Sequence, residues 1–155
     1  EKDSLIITNC TFTLNTGQLR GAAISDFSRD STFTQITNSV FYKNQADNNQ
    51  LFDFSGSAIH HANIAYSFID STECPTGISC GEGMIFDKNS PFVDAAMRNF
   101  TPDKDGLLVD NGNNSFLVPA LLHDLAGNPR ISGSTIDIGA YETETISCFL
   151  PEFYE

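Results

Sequence analysis

A chain of 155 residues with 40% apolar content has enough material for the core of one domain, and nothing in it points to a second. Its 20 acidic residues against 8 basic ones give a net charge of -12, which argues against nucleic acid and anionic lipid surfaces as partners. The longest apolar stretch, Phe116 to Leu122, is interrupted by Pro119 and is far too short to span a bilayer, so direct membrane insertion is not expected.

The chain opens with EKDSLIIT, which lacks a basic and then apolar leader, so any export signal is expected to be removed already or to lie upstream. Short segments such as SLIIT, STFTQIT and GSAIHH are rich in β-branched and aromatic residues and bounded by Asn, Gly and Ser, so each reads as a strand. No sustained helical period competes between Leu5 and Phe86.

Two elements recur along this region. FTLN begins at Phe12 and FYKN at Phe41, with FIDS at Phe68 as a third copy. GAAI begins at Gly21, GSAI at Gly56 and GMIF at Gly83. Paired elements with variable spacing are the mark of a solenoid that takes loop insertions on one face, here around KNQADNNQLFDFS. The expectation is an all-β fold, a right-handed parallel β-helix of about three coils. Residues 1–86 would form the coils, 87–142 a last coil and cap, and 143–155 a tail or linker.

In that geometry Phe12, Phe41 and Phe68 form one inward ladder and Ile24, Ile59 and Phe86 another. Ile7 and Ile36 precede their Phe by five residues but Ile64 precedes Phe68 by four, so a bulge or shifted turn is expected in the third coil. Asn15 and Asn44 end their elements, and the favoured role is structural: a left-handed turn with amides laddered from coil to coil. A ligand role on the outer face is the alternative.

Cys74 and Cys80 flank CPTGISC, whose Pro75 and Gly77 can fold the sulfurs together; an oxidised staple is preferred over two free thiols. Cys10 and Cys148 are not paired by sequence reasoning. Asp103, Asp105 and Asp110 offer oxygen ligands to calcium but lack the spaced Glu of a calcium-binding loop, so a solvated acidic turn is preferred and no cofactor is assigned. His60 and His61 are neighbours on a strand and point to opposite faces. His123 has no nucleophile elbow to serve.

The pairing of FxxN with a Gly-rich GGA[ILV]-like element resembles the polymorphic outer-membrane protein repeat, although Ala22 stands where that repeat favours a second glycine. SPFVDAAMRNF, GLLVDNG and above all DLAGNPRISGSTIDIGAYE, from Asp124 to Glu142, resemble the ending of choice-of-anchor Q domains. That resemblance implies an extracellular or bacterial cell-surface β-helix, outer-membrane associated, placed before a sorting module such as the type IX secretion signal, and mostly without an assigned activity. It also implies that the chain is part of a longer protein. Asp3-Ser4-Leu5, Asp30-Ser31-Thr32 and Asp70-Ser71-Thr72 are similar to the O-glycosylation motif of such exported proteins, which marks Ser4, Ser31 and Ser71 as candidate sites.

Asp124, Arg130, Asp137 and Glu142 look like a catalytic set, but capping explains them better. Gly127 and Asn128 before Pro129 make a tight turn, Ile136 and Ile138 alternate toward the core, and Gly139 permits a reversed backbone. Arg130 would hold Asp137 or Glu142 by paired hydrogen bonds, and the whole would close the last open β edge. No catalytic residue is assigned. The favoured function is a non-catalytic surface module with structural, adhesive, glycan-binding or protein-binding duties. The alternative is the C-terminal part of a β-helix polysaccharide lyase or glycoside hydrolase. Upstream coils of the same protein, or another chain, are expected to cover the N-terminal edge.

Overall fold

The computed structural model describes residues 3–18, 21–26, 32–54 and 61–144. They form an almost wholly β architecture. The first circuit of chain lays down β1 (Asp3–Thr8), β2 (Thr11–Thr13), β3 (Thr16–Gly17) and β4 (Ile24–Ser25). A second repeats it with β5 (Thr32–Thr37), β6 (Val40–Tyr42), β7 (Gln45–Ala46) and β8 (Phe52–Asp53). Next come β9 (His61–Ala65) and β10 (Phe68–Ile69), then β11 (Ser79–Cys80) and β12 (Ile85–Phe86). An antiparallel pair, β13 (Phe92–Asp94) and β14 (Asn99–Pro102), precedes a stretch whose one regular element is a 3-10 turn at Asn114–Phe116.

Every pairing among β1 to β12 is parallel, in the orders β1-β5-β9-β11, β12-β10-β6-β2, β3-β7 and β4-β8. The register follows from a turn that the sequence spells three times. Asn9, Asn38 and Tyr66 all take left-handed backbone, with φ of 53°, 48° and 47°. Each is followed by a residue whose side chain donates back two positions: Cys10 Sγ to Thr8 O at 3.3 Å, Ser39 Oγ to Thr37 O at 2.8 Å, and Ser67 Oγ to Ala65 O at 2.8 Å. The backbone N–H groups continue the row, Cys10 donating to Ser39 Oγ at 3.1 Å and Ser39 to Ser67 Oγ at 3.0 Å. Stacked turns thus satisfy one another's buried polar groups.

This row corrects the expected ladders. Phe12 pairs with Phe41, their rings stacked 4.9 Å apart and 3° from parallel, but Phe41 pairs next with Ile69 and Ile69 with Phe86. Phe68 stands opposite Val40 and Ile85 instead. Because side chains alternate along a strand, that one-residue difference sends Phe68 to the other face of the sheet. Ile24 pairs with Phe52, Phe86 belongs to the Phe12 row, and Ile59 lies outside the described residues. Ile7, Ile36 and Ile64 align directly, each five residues before its partner in the Phe12, Phe41, Ile69 row, so the strands need no bulge there.

Two cores result. Ile24, Ile36, Phe41, Phe52, Ile64 and Ile69, all from strands of the parallel sheets, pack into one buried cluster. Val40, Tyr42 and Phe68, from the opposite face of β6 and β10, pack with Phe92, Leu108 and Ile138 of the C-terminal segment. The sheet is therefore apolar on both faces, which explains why Val40, Phe41 and Tyr42 are all buried in one strand without alternation.

Candidate functional site

The C-terminal motif comes together, but on the flank of the first two circuits, at the far end of the strand order from β11 and β12. Gly139 N–H donates to Asn38 O at 2.9 Å, Ala140 N–H to Thr11 Oγ1 at 3.0 Å, and Arg130 Nη2 to Asn9 O at 3.1 Å. The expected closure of the last β edge is thus replaced by lateral packing over the second core. Gly139 is needed for its φ of 114° and its close approach, since a Cβ there would meet Thr11 Oγ1 and Val40 Cγ2 at 3.0 Å.

Its acidic groups are committed to backbone. Asp124 accepts from the N–H groups of Ala126, Asn128 and Glu142 at 2.7 to 2.9 Å, fixing the Gly127 turn. Asp137 accepts from Asp110 N at 2.8 Å and Thr143 N at 2.7 Å, while both Glu142 oxygens accept from Asp137 N at 3.2 Å. Arg130 departs from the expected paired geometry. Its Nη2 also donates to Gly139 O at 2.7 Å, Nη1 lies 3.5 Å from Glu142 Oε1, and Nε and Nη1 have no hydrogen-bond partner among the described residues. Burial outweighs that ion pair and pushes Glu142 up to about 8. Burial alone would raise Asp124 too, but its hydrogen bonds from Glu142, Asn128 and Ala126 win and lower it. All four side chains are more than nine-tenths buried, so this is a latch closed to substrate.

An open cleft lies elsewhere. The ends of FTLN and FYKN are stacked, with Asn15 Nδ2 donating to Asn44 Oδ1 at 2.8 Å and Asn44 Nδ2 to Phe12 O at 2.8 Å. The left-handed residues are Leu14 and Lys43, with φ of 57° and 51°, one place before the asparagines expected to take that role. Asp70 continues the row by accepting from Lys43 N at 3.3 Å.

Beyond this row a cleft of about 320 Å³ opens, within the range of small-ligand sites of ~300–1,000 Å³. One wall is the turn at Asn49 to Leu51, shaped by Gln50 N–H donating to Asn48 Oδ1 at 3.1 Å. The other is Ser71 to Thr76, held by the disulfide between Cys74 and Cys80 with Cα atoms 6.0 Å apart. Lys43, Asn44, Asp70 and Lys88 line it, with Leu51 and Pro75 contributing apolar surface and the buried Phe41 and Ile69 beneath. Lys88 Nζ donates to Asp70 O at 3.3 Å and stands 3.9 Å from its carboxylate. With Lys43, Lys88, Asp70 and Glu73 all among its lining, the cleft is nearly charge-balanced on a chain of net charge -12, although the Lys43 ammonium rests 5.2 Å over the Tyr42 ring.

The remaining candidates are scattered. Asp103 Oδ1 accepts from Asp105 N at 3.2 Å, Asp105 pairs with Lys104 at 2.5 Å, and Asp110 Oδ1 accepts from Thr135 N at 2.9 Å. Among the described residues no three His, Cys, Asp or Glu side chains gather as a metal site. Ser4 is exposed, Ser71 Oγ bonds the Glu73 backbone, and Ser31 lies outside the described residues. No described helix is long and apolar enough to cross a membrane. Comparison with protein-family models, curated proteins and solved structures returned no match.

Sequence reading missed the cleft because its walls come from segments that only the fold brings together. The repeated Asn-Cys-Thr-Phe and Asn-Ser-Val-Phe tetrapeptides were the available signal for the correct register.

Proposed function

We propose that the chain is a non-catalytic module with a right-handed parallel β-helix fold, borne by a larger secreted protein at the bacterial surface, and that it binds short neutral glycans in the cleft beside Asn44. Parallel pairing of strands that recur after 28 or 29 residues supports the helix. The cleft carries the functional reading. Its amide, hydroxyl and ammonium groups suit a ligand rich in hydroxyls, its balanced charge suits a neutral one, and the partly exposed Leu51 and Pro75 offer apolar surface to a sugar face. The buried latch argues against catalysis at the Asp124 to Glu142 motif, since its carboxylates are spent on backbone donors. β1 and β2 each end the strand order of their sheet, which is where upstream coils or another chain would add.

Titration of isotope-labelled protein with neutral oligosaccharides tests this. Saturable shifts at Lys43, Asn44, Asp70 and Lys88, weakened in Lys88→Ala, are expected; shifts absent from these residues at millimolar ligand reject the site.

The enzyme reading draws on the same cleft, whose lining includes Asp70 and Glu73 with Lys88 beside Asp70. New reducing ends or unsaturated uronates on incubation with polysaccharides, lost in Asp70→Asn, would replace binding by cleavage.

A further inference from the structure

Side chains alternate along the strands of the sheet β1-β5-β9-β11, so one set faces the buried cluster and the other faces outward. The outward set stands in rows that cross the strands. Gln35, Asn63 and Ser79 are register partners in one row, and Phe33 and His61 are partners in the row beside it. Asn63, Ser79, Phe33 and His61 are exposed and Gln35 is partly so.

Three observations single out this face. Elsewhere amides and hydroxyls are consumed by turns, as at Asn38, Ser39, Asn44 and Ser67. Gln35, Asn63 and Ser79 make no such bond among the described residues. The face is also hollowed, by about 220 Å³ where Gln35, Asn63 and Ser79 stand over Ala65 and Gly81, and by about 300 Å³ between His61, Asn63, Gly77 and Ser79. Finally, among the described residues no Asp, Glu, Lys or Arg lines either hollow, on a chain of net charge -12. The hollows adjoin the cleft in sequence: Ser71 to Thr76 form its wall, Gly77 to Ser79 line the second hollow, and the Cys74–Cys80 bond holds both stretches.

We propose that this face is a second subsite for neutral glycans, on which a sugar chain leaving the cleft lies across β11, β9 and β5; the class of ligand rests on the reading of the cleft given above. Strands ~4.7–4.9 Å apart make Ser79, Asn63 and Gln35 an evenly spaced comb roughly 10 Å long, held by backbone pairing. The hydroxyls of an extended chain can bond each tooth, and the Phe33 ring beside them takes the apolar face of a sugar. Lack of charge favours a neutral ligand over an anionic or cationic one. Size excludes a protein partner, because four strands of at most six residues present under roughly 400 Å², about half of the ~800 Å² that a stable protein contact covers on each side.

The test titrates isotope-labelled protein with cellobiose, xylobiose and mannobiose and with their longer homologues. The longer chains are expected to shift Gln35, Asn63 and Ser79 as well as Asn44 and Lys88, and to bind more tightly than the disaccharides. Asn63→Asp puts a charge on the exposed face without touching the core, and should weaken the longer chains about fivefold, the worth of about one hydrogen bond. Its spectrum away from the face and its disaccharide shifts at Asn44 and Lys88 should match the unaltered protein. Shifts confined to Asn44, Asp70 and Lys88 at every chain length, or undiminished affinity in Asn63→Asp, overturn the second subsite and leave the cleft standing. Shifts at Gln35, Asn63 and Ser79 with none at Asn44 and Lys88 support this face and reject the cleft. No shift in either place at millimolar ligand rejects both.

Discussion

The side chain of Asn38 is paired with the backbone of Asn113: Oδ1 accepts from Asn113 N at 2.9 Å, and Nδ2 donates to Asn113 O at 3.1 Å. Asn38 is fully buried and left-handed, so one residue both turns the chain after β5 and clamps a strandless segment 75 residues away.

Asn38→Ala removes both bonds, leaves the half-buried Asn113 N–H and C=O without them, and places alanine in left-handed backbone. A loss of about 3 kcal/mol is expected, read from the urea midpoint. Asn9→Ala at the equivalent turn should cost less, because among the described residues Asn9 Nδ2 has no hydrogen-bond partner and its Oδ1 accepts from the neighbouring Thr8 Oγ1 at 3.1 Å, with no distant backbone clamped.

Phe41→Ala and Phe68→Ala should each cost about 3–5 kcal/mol, since both rings are buried. Their consequences differ by face. Phe68→Ala opens the contact with Phe92, Leu108 and Ile138, so limited proteolysis should cut first within 91–142. Phe41→Ala should instead quicken cleavage within the β2 to β8 circuits.

Glu142 gives stability a definite pH dependence. Its folded value, about 8, exceeds its ordinary 4.5, so the folded chain holds the proton more tightly. Its contribution is complete below about pH 4.5 and is lost as pH rises through 8. Glu142→Gln should flatten the fall in urea midpoint between pH 5 and pH 8.5. An unchanged slope would assign the dependence to another group.

Reduction of Cys74–Cys80 frees a wall of the cleft. Closing a loop this short contributes about 2 kcal/mol on the chain-entropy account. The Cys74→Ser, Cys80→Ser variant should therefore stay folded yet bind oligosaccharide more weakly, measured calorimetrically. Unchanged affinity would place the ligand elsewhere.

Strand identity, parallel stacking and the short disulfide were legible because each rests on local chemistry: β-branched runs, a 29-residue echo between Phe12 and Phe41, and a Pro/Gly loop between cysteines. Register in the third circuit was not. Phe68 looked like the copy of Phe41 because the eye follows phenylalanine, whereas the chain counts from Ser39 and Ser67. The turn hydrogen bond fixes the step, and the ring goes wherever alternation sends it. In the C-terminal motif the tight turn was readable, but not the flank it lies on, which depends on Thr11 and Asn38 far upstream.

The sheet β12-β10-β6-β2 has one greasy face covered by the strands interleaved with its own, among them β4, β5, β8 and β9, and another covered by residues that follow it in the chain. A polypeptide delivered amino end first therefore shows Val40, Tyr42 and Phe68 to its surroundings until Phe92, Leu108 and Ile138 arrive. The segment from Phe92 to Ile138 thus does for this sheet what a neighbouring molecule would otherwise have to do, keeping an apolar face out of water.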